Sequence, residues 1–175
     1  SSLLFSLRFF LLMRTPSFAQ VIPVCEAFLA QYLRQWNGFD HTDELLRLIA
    51  MLRPTTFDDF HNTIMAPLCQ MFCSSDAVQK AQIMNAFTRL LRGWLTVDWN
   101  VLQNQRASAQ HARFIFGQVP PTTNYYKCVF DLVQFLMQLA LLALQLEDDH
   151  VAVQHAACSL LEVVSQIYVR YDKPF

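Results

Sequence analysis

Glycine is scarce in this chain, with three among 175 residues, where a globular domain averages about 7%. That deficit disfavours a turn-rich β architecture and leaves no Gly-rich loop to cradle a phosphate. Charge is scarce as well. Asp, Glu, Lys and Arg make up 15% of the residues and the formal net charge is −1, so the clustered basic surface of a dedicated nucleic-acid binder is missing. The five cysteines, Cys25, Cys69, Cys73, Cys128 and Cys158, are odd in number and widely spaced, and four of them fall on apolar helical faces. They form no disulfide framework and read as buried free thiols of a reducing compartment, cytosol or nucleus. Long uninterrupted apolar runs are also lacking. The opening SSLLFSLRFFLLMR is broken by Arg8, has no basic region before it and no small-residue cleavage site after it. Residues 132–146 contain Gln134, Gln138 and Gln145 and fall short of the ~20 residues a bilayer needs. Neither stretch is read as a membrane segment.

Catalytic and metal-binding patterns are missing in the same way. There is no G-x-S-x-G elbow and no Walker loop. Cys69 and Cys73 stand four apart without a second Cys/His pair at zinc spacing, and His150 and His155 fall on different helix faces. His61, among Asp58, Asp59 and Asn62, reads as a solvated helix start. Cys25 beside Glu26 lies on an apolar stripe, where a thiol is inert. Asp58-Asp59 and Glu147-Asp148-Asp149 sit at helix ends, where the helix dipole and capping account for them. No enzyme, cofactor, metal or small-molecule substrate is expected. Arg89 and Arg92, with Lys80 at a looser distance, share one face, and Arg106, His111 and Arg113 follow. So few cations read as solvated surface.

What the chain has in quantity is apolar side chains, 54% of the total. With so little charge, they imply both a large core and surfaces hidden in an assembly. They recur at helical spacing. The widest stripe is in residues 17–38, where Phe18, Val21, Ile22, Cys25, Phe28, Leu29, Tyr32, Leu33 and Trp36 step by three and four onto one face. Asn37-Gly38 ends that helix, glycine being free to take the left-handed cap conformation. This stretch is expected to be the element the others pack around. A helix over residues 3–13 precedes it and breaks at Thr15-Pro16; Pro23 is expected to start or kink the second helix. Asp40 or Thr42 then caps a third, carrying Leu45, Leu48, Ile49 and Leu52. Thr56 caps a fourth, in which Pro67 predicts a kink near Thr63 inside one element. Ser74 or Ser75 opens a fifth, with Ile83, Met84, Phe87, Leu90, Leu91, Trp94 and Leu95. Thr123 or Asn124 caps a sixth, apolar nearly all round and so expected to be the most buried. The seventh runs from the Glu147-Asp148-Asp149 cluster to Lys173-Pro174.

Pairing second with third, fourth with fifth and sixth with seventh gives antiparallel hairpins recurring at roughly forty residues, a length that suits a HEAT-like helical-repeat solenoid. A compact all-α bundle is the alternative. The chain is expected to be a single helical-repeat domain over residues 1–175, a fragment of a longer array, with an exposed excursion over residues 100–122 where the periodicity fails. In or beside that excursion lie Trp99, Arg113, Phe114, Ile115, Phe116, Tyr125 and Tyr126, aromatic anchors of the kind enriched at binding hot spots. The FIF triplet either folds back over the sixth helix or meets a partner. The expected partner-binding residues are Trp99, Arg113, Phe114, Phe116 and Tyr125.

The strings VCEAFLAQYLRQWNG, LLRLIAMLRPTTFDDF, IMAPLCQMF and LLRGWL, with the closing ALQLE and IYVRYDKPF, resemble the later half of the centromere protein I family, helical-repeat subunits of the inner kinetochore. The first helix and residues 100–122 stand outside this likeness. The resemblance implies a nuclear, non-enzymatic scaffold of the constitutive centromere-associated network. It would bind centromere proteins H, K and M and help join centromeric chromatin to the outer kinetochore, with chromatin contact running through partners and no membrane involved. A HEAT-like adaptor of another nuclear or cytosolic assembly is the alternative.

Overall fold

Apolar side chains at three- and four-residue spacing dictate helices throughout, and the computed structural model describes helices and turns over residues 23–52, 56–96, 125–148 and 150–170, the side chains of residues 23–25, 125 and 168–170 excepted. Helix α1 is Pro23–Leu33, α2 is Thr42–Ile49, α4 is Ala77–Thr96, α5 is Tyr125–Leu146 and α6 is Val151–Arg170. Between α2 and α4, α3 is one continuous helical rod in three parts, Phe57–Phe60, a π-helical turn His61–Met65, and Ala66–Ser74. No strand occurs among the described residues, so the fold class is all-α. The expected helix over residues 3–13 and the excursion over residues 100–122 lie outside the described residues.

Local chemistry sets the ends. Thr56 is extended (φ −64°, ψ 142°) and its hydroxyl oxygen accepts from the Asp59 N–H, with Asp58 and Asp59 in the positive first turn. Pro67 has no N–H and its ring crowds the carbonyl four residues back. The rod answers with the π turn just ahead of it, where the Ala66 N–H reaches the His61 carbonyl. The irregularity expected near Thr63 is therefore present within one element. Asn37-Gly38 acts as the expected stop: Gly38 takes φ +87°, and the Asn37 side-chain oxygen accepts from the Phe39 and Asp40 N–H groups. Two caps differ from expectation. Asp40 gives its carboxylate to Asn37 Nδ2 and Thr42 donates back to the Phe39 carbonyl, so α2 starts after His41 with no side-chain cap. At α4 the cap is Asp76, whose Oδ1 accepts from the Gln79 N–H at 2.7 Å, rather than Ser74 or Ser75.

The helices lie in two rows. α2 packs on α4 and α4 on α6; α1 packs on the π turn of α3, and the first turn of α3 on α5; α4 also touches α3 and α5, and α5 touches α6. Within the first row the helices run the same way. Gln79, at the start of α4, donates to the Gly38 carbonyl ahead of α2, and Trp94 Nε1, near the end of α4, donates to the Leu52 carbonyl just past α2 at 2.7 Å. Lys80 in the first turn of α4 meets Glu147 just ahead of α6. Stacking of alternate helices within a row thus outweighs the pairing of sequence neighbours, and α1 rests mainly on α3 rather than on α2.

This geometry moves the organising element. Residues 17–38 are not the centre of the described fold. That place belongs to α4, which buries Ile83, Met84, Phe87, Leu90, Leu91 and Trp94 along with several small residues. Trp94, 2% exposed, also stands edge-on to Phe60 with ring centroids 5.5 Å apart. In α1, Leu29, Leu33 and Trp36 point inward, but Phe28 is exposed. Helix α5 is not the most buried. It buries Leu132, Leu136, Leu139, Ala140 and Ala143, and leaves Phe130, Leu141, Leu142, Leu144 and Leu146 exposed. Its described neighbours cover one side.

Candidate interaction surface

The uncovered side of α5 continues into a groove. Helices α5 and α6 diverge around an open cavity of about 680 Å³ whose one wall is Val129, Phe130, Val133 and Met137 and whose other wall is Leu161, Val164 and Ile167. Gln134, Gln138 and Ser165 add polar groups and no charged side chain lines it. One turn beyond Met137, Leu141 is 57% exposed, and Leu161 is 49% exposed. Apolar surface of this extent is a feature of surfaces that meet another apolar body. The helix is longer than the apolar run within it. Tyr126–Leu146 is long and apolar enough to cross a membrane by length and composition, although 33% of its apolar window is buried inside the fold.

The five residues expected to meet a partner stand apart from this description. Trp99, Arg113, Phe114 and Phe116 lie outside the described residues, and Tyr125 opens α5 with its side chain likewise outside them. The groove is what sequence reasoning missed. Its signal was present in the all-round apolarity of residues 123–146, which fits a helix with one face against the core and another awaiting a cover.

Reactive chemistry is sparse. Burial pushes the Cys69 thiol up to about 11, with the neighbouring Cys73 adding to the effect. Burial and then the Asp131 carboxylate do the same for Cys128, also to about 11. Both thiols stay protonated near neutrality and are poor nucleophiles. Cys73 and Cys158 are exposed, contrary to the expectation of buried thiols. Each follows an inward-facing residue, Phe72 or Ala157, and one helical step of about 100° turns it outward. Among the described residues no group of three or more His, Cys, Asp or Glu could hold a metal ion. His61 is half-buried between the rings of Phe57 and Phe135, at centroid distances of 5.9 and 5.8 Å. It bridges α3 to α5 rather than marking a solvated helix start.

Lys80 also corrects the sequence reading. It does not share the solvated face of Arg89 and Arg92. Only 3% exposed, it donates through Nζ to the Ser75 carbonyl at 2.6 Å and to Glu147 Oε1 at 2.5 Å. A buried ammonium persists only when paired and hydrogen-bonded, and these contacts tie the α3–α4 turn to the α5–α6 turn.

Residues 7–110 match the CENP-I family model, described as Mis6. Centromere protein I of Gallus gallus is 28% identical over 153 residues, covering 87% of this chain and 20% of that protein. Centromere protein I of Rattus norvegicus is 25% identical over 150 residues, covering 86% and 19%, and that of Mus musculus is 25% identical over 152 residues. The chain spans about a fifth of the length of these curated relatives. With more than half of its residues inside the family model, the chain belongs to the centromere protein I family.

Proposed function

We propose that this chain is part of a non-enzymatic scaffold of the inner kinetochore. It acts in the nucleus at the centromere, by binding centromere proteins H, K and M and helping to link centromeric chromatin to the outer kinetochore. Chromatin contact runs through those partners, and α5 serves as a partly packed helix rather than a membrane span. Family membership supports the location. The observation that carries the binding role is the uncharged groove between α5 and α6 with the leucines beside it, a surface matched to an apolar helix of a partner.

In the same reading the chain is one segment of a HEAT-like solenoid, a single helical-repeat domain over residues 1–175 with an excursion over residues 100–122. The two-row packing supports this. The contacts joining α2 to α4 connect residues 41 and 42 positions apart, a spacing within the ~40–47 residues of a HEAT or armadillo repeat. Trp99, Arg113, Phe114, Phe116 and Tyr125, in or beside the excursion, are the proposed partner contacts.

Co-expression with centromere proteins H, K and M, read by size-exclusion chromatography, tests the reading. Co-elution is expected, and Phe114→Ser with Phe116→Ser should weaken it by about 2 kcal/mol or more, as truncating a hot spot does, with the melting temperature nearly unchanged. Separate elution of the wild-type chain contradicts the partner assignment. A lowered melting temperature with intact co-elution assigns the FIF triplet to this chain's own packing.

A further inference from the structure

The seam between α2 and α4 carries positive charge that the fold leaves unanswered. Asp43, Arg47 and Met51 follow one another at four-residue steps along the exposed stripe at α2 and the turn after it. Helix α4 exposes Arg89 and Arg92. Because the two helices run parallel, register follows from their contacts. Arg89 comes after Arg47 by the same 42 positions that separate Trp94 from its acceptor Leu52. Packed helices lie about 8–10 Å apart, Gly93 of α4 sits beside the Ala50 carbonyl just past α2, and Arg47, Arg89 and Arg92 are all exposed. Met51, 45% exposed, stands one turn beyond Arg47.

Among the described residues none of these arginines takes part in an ion pair, unlike Lys80 with Glu147. Arg89 engages only its Nε, on the Asn85 carbonyl at 3.2 Å. Asp43 and Glu44 lie four and three residues before Arg47, a spacing that permits pairing, yet they form none.

We infer that this seam docks a short acidic protein segment that also carries an apolar side chain. Guanidinium groups pair with carboxylates through two parallel hydrogen bonds, and exposed methionine is an adaptable apolar contact. A nucleic-acid strand fits less well. It has no use for Met51, and so few phosphate contacts are weak at physiological salt. The surface is separate from the α5–α6 groove and does not depend on the proposed place in the kinetochore.

Fluorescence anisotropy tests it, with a labelled synthetic peptide of alternating Glu and Leu, a second of Glu alone, and a random DNA duplex. The wild-type chain is expected to bind the Glu–Leu peptide several-fold more tightly than either of the others. Replacing all three arginines by glutamine (Arg47→Gln, Arg89→Gln, Arg92→Gln) should weaken that binding about tenfold or more, consistent with loss of charge-assisted pairs. Met51→Ser should abolish the preference for the leucine-bearing peptide and leave the Glu peptide unaffected. Arg34→Gln, exposed in the turn after α1, should change nothing. These side chains are exposed, so melting temperatures verify folding, and Arg89→Gln alone, with a smaller loss expected, serves if the triple variant folds poorly. Peptide affinity unchanged in the variants, or duplex binding that exceeds peptide binding and vanishes with the arginines, overturns the inference.

Discussion

Lys80 and Glu147 show what a single buried charge commits a fold to. The Lys80 side chain is 4% exposed and that of Glu147 24%, so the two halves of the pair are unequal. Removing the carboxylate strands an ammonium in the core, which costs about 3–5 kcal/mol in comparable pairs. Removing the ammonium leaves a carboxylate that water already reaches. Urea denaturation should therefore show Glu147→Ala to be markedly more destabilising than Lys80→Met. Equal losses would mean that the pair is less buried than its geometry. The cysteines make a second residue-scale test. At pH 7.5 a thiol reagent should label Cys73 and Cys158 in the native protein and reach Cys69 and Cys128 only after unfolding. Folding holds the protons of Cys69 and Cys128 more tightly, with both thiols pushed up to about 11 from an unfolded value of ~8.5. Their contribution to stability is thus full below that unfolded value and is lost as pH rises towards 11. A denaturation midpoint that climbed over that interval would contradict the assignment. The Lys80 pair was not legible in the sequence, since its partner is 67 positions away and no local pattern announces it.

Several element ends, by contrast, were legible from local chemistry, although the caps of α2 and α4 were not. Thr56 with Asp58 and Asp59, Asn37-Gly38, and the disturbance ahead of Pro67 each depend on groups within a few residues of one another. Gly38 shows how such a stop is reinforced from outside. A Cβ there would meet Met71 of α3, and φ is +87°, so Gly38→Ala should cost about 1–2 kcal/mol from the left-handed backbone alone. An unchanged urea midpoint would show that the turn can take another conformation. The faces of the helices were less legible. Periodicity picked out the buried stripe of α4, because one apolar stripe admits one buried face. In α5 the stripe closes on itself, and the sequence cannot say which of its leucines find neighbours. Trp94 joins three elements, with its indole N–H on Leu52 beyond α2, its ring on Phe60 of α3, and its own place in α4. Trp94→Ala should cost about 3–5 kcal/mol; a loss below about 1 kcal/mol would put the ring outside the core.

At the scale of the whole molecule, the all-α class follows from composition and period, while the stacking of α2, α4 and α6 in one row follows from contacts 41 and 42 positions apart, beyond the reach of a hairpin argument. In the proposed function, the exposed side of α5 and α6 is built for a protein partner and adds nothing to the chain's own fold. Leu141 and Leu161, exposed at 57% and 49%, address that claim directly. The decisive measurement pairs the melting temperature of the Leu141→Asp, Leu161→Asp double variant with its co-elution alongside centromere proteins H, K and M. An unchanged melting temperature with co-elution lost is predicted, since substitutions at exposed sites away from packing usually stay within about 0.5 kcal/mol. A melting temperature lowered by several degrees, with co-elution intact, would mean that this chain covers its own groove and would contradict the account.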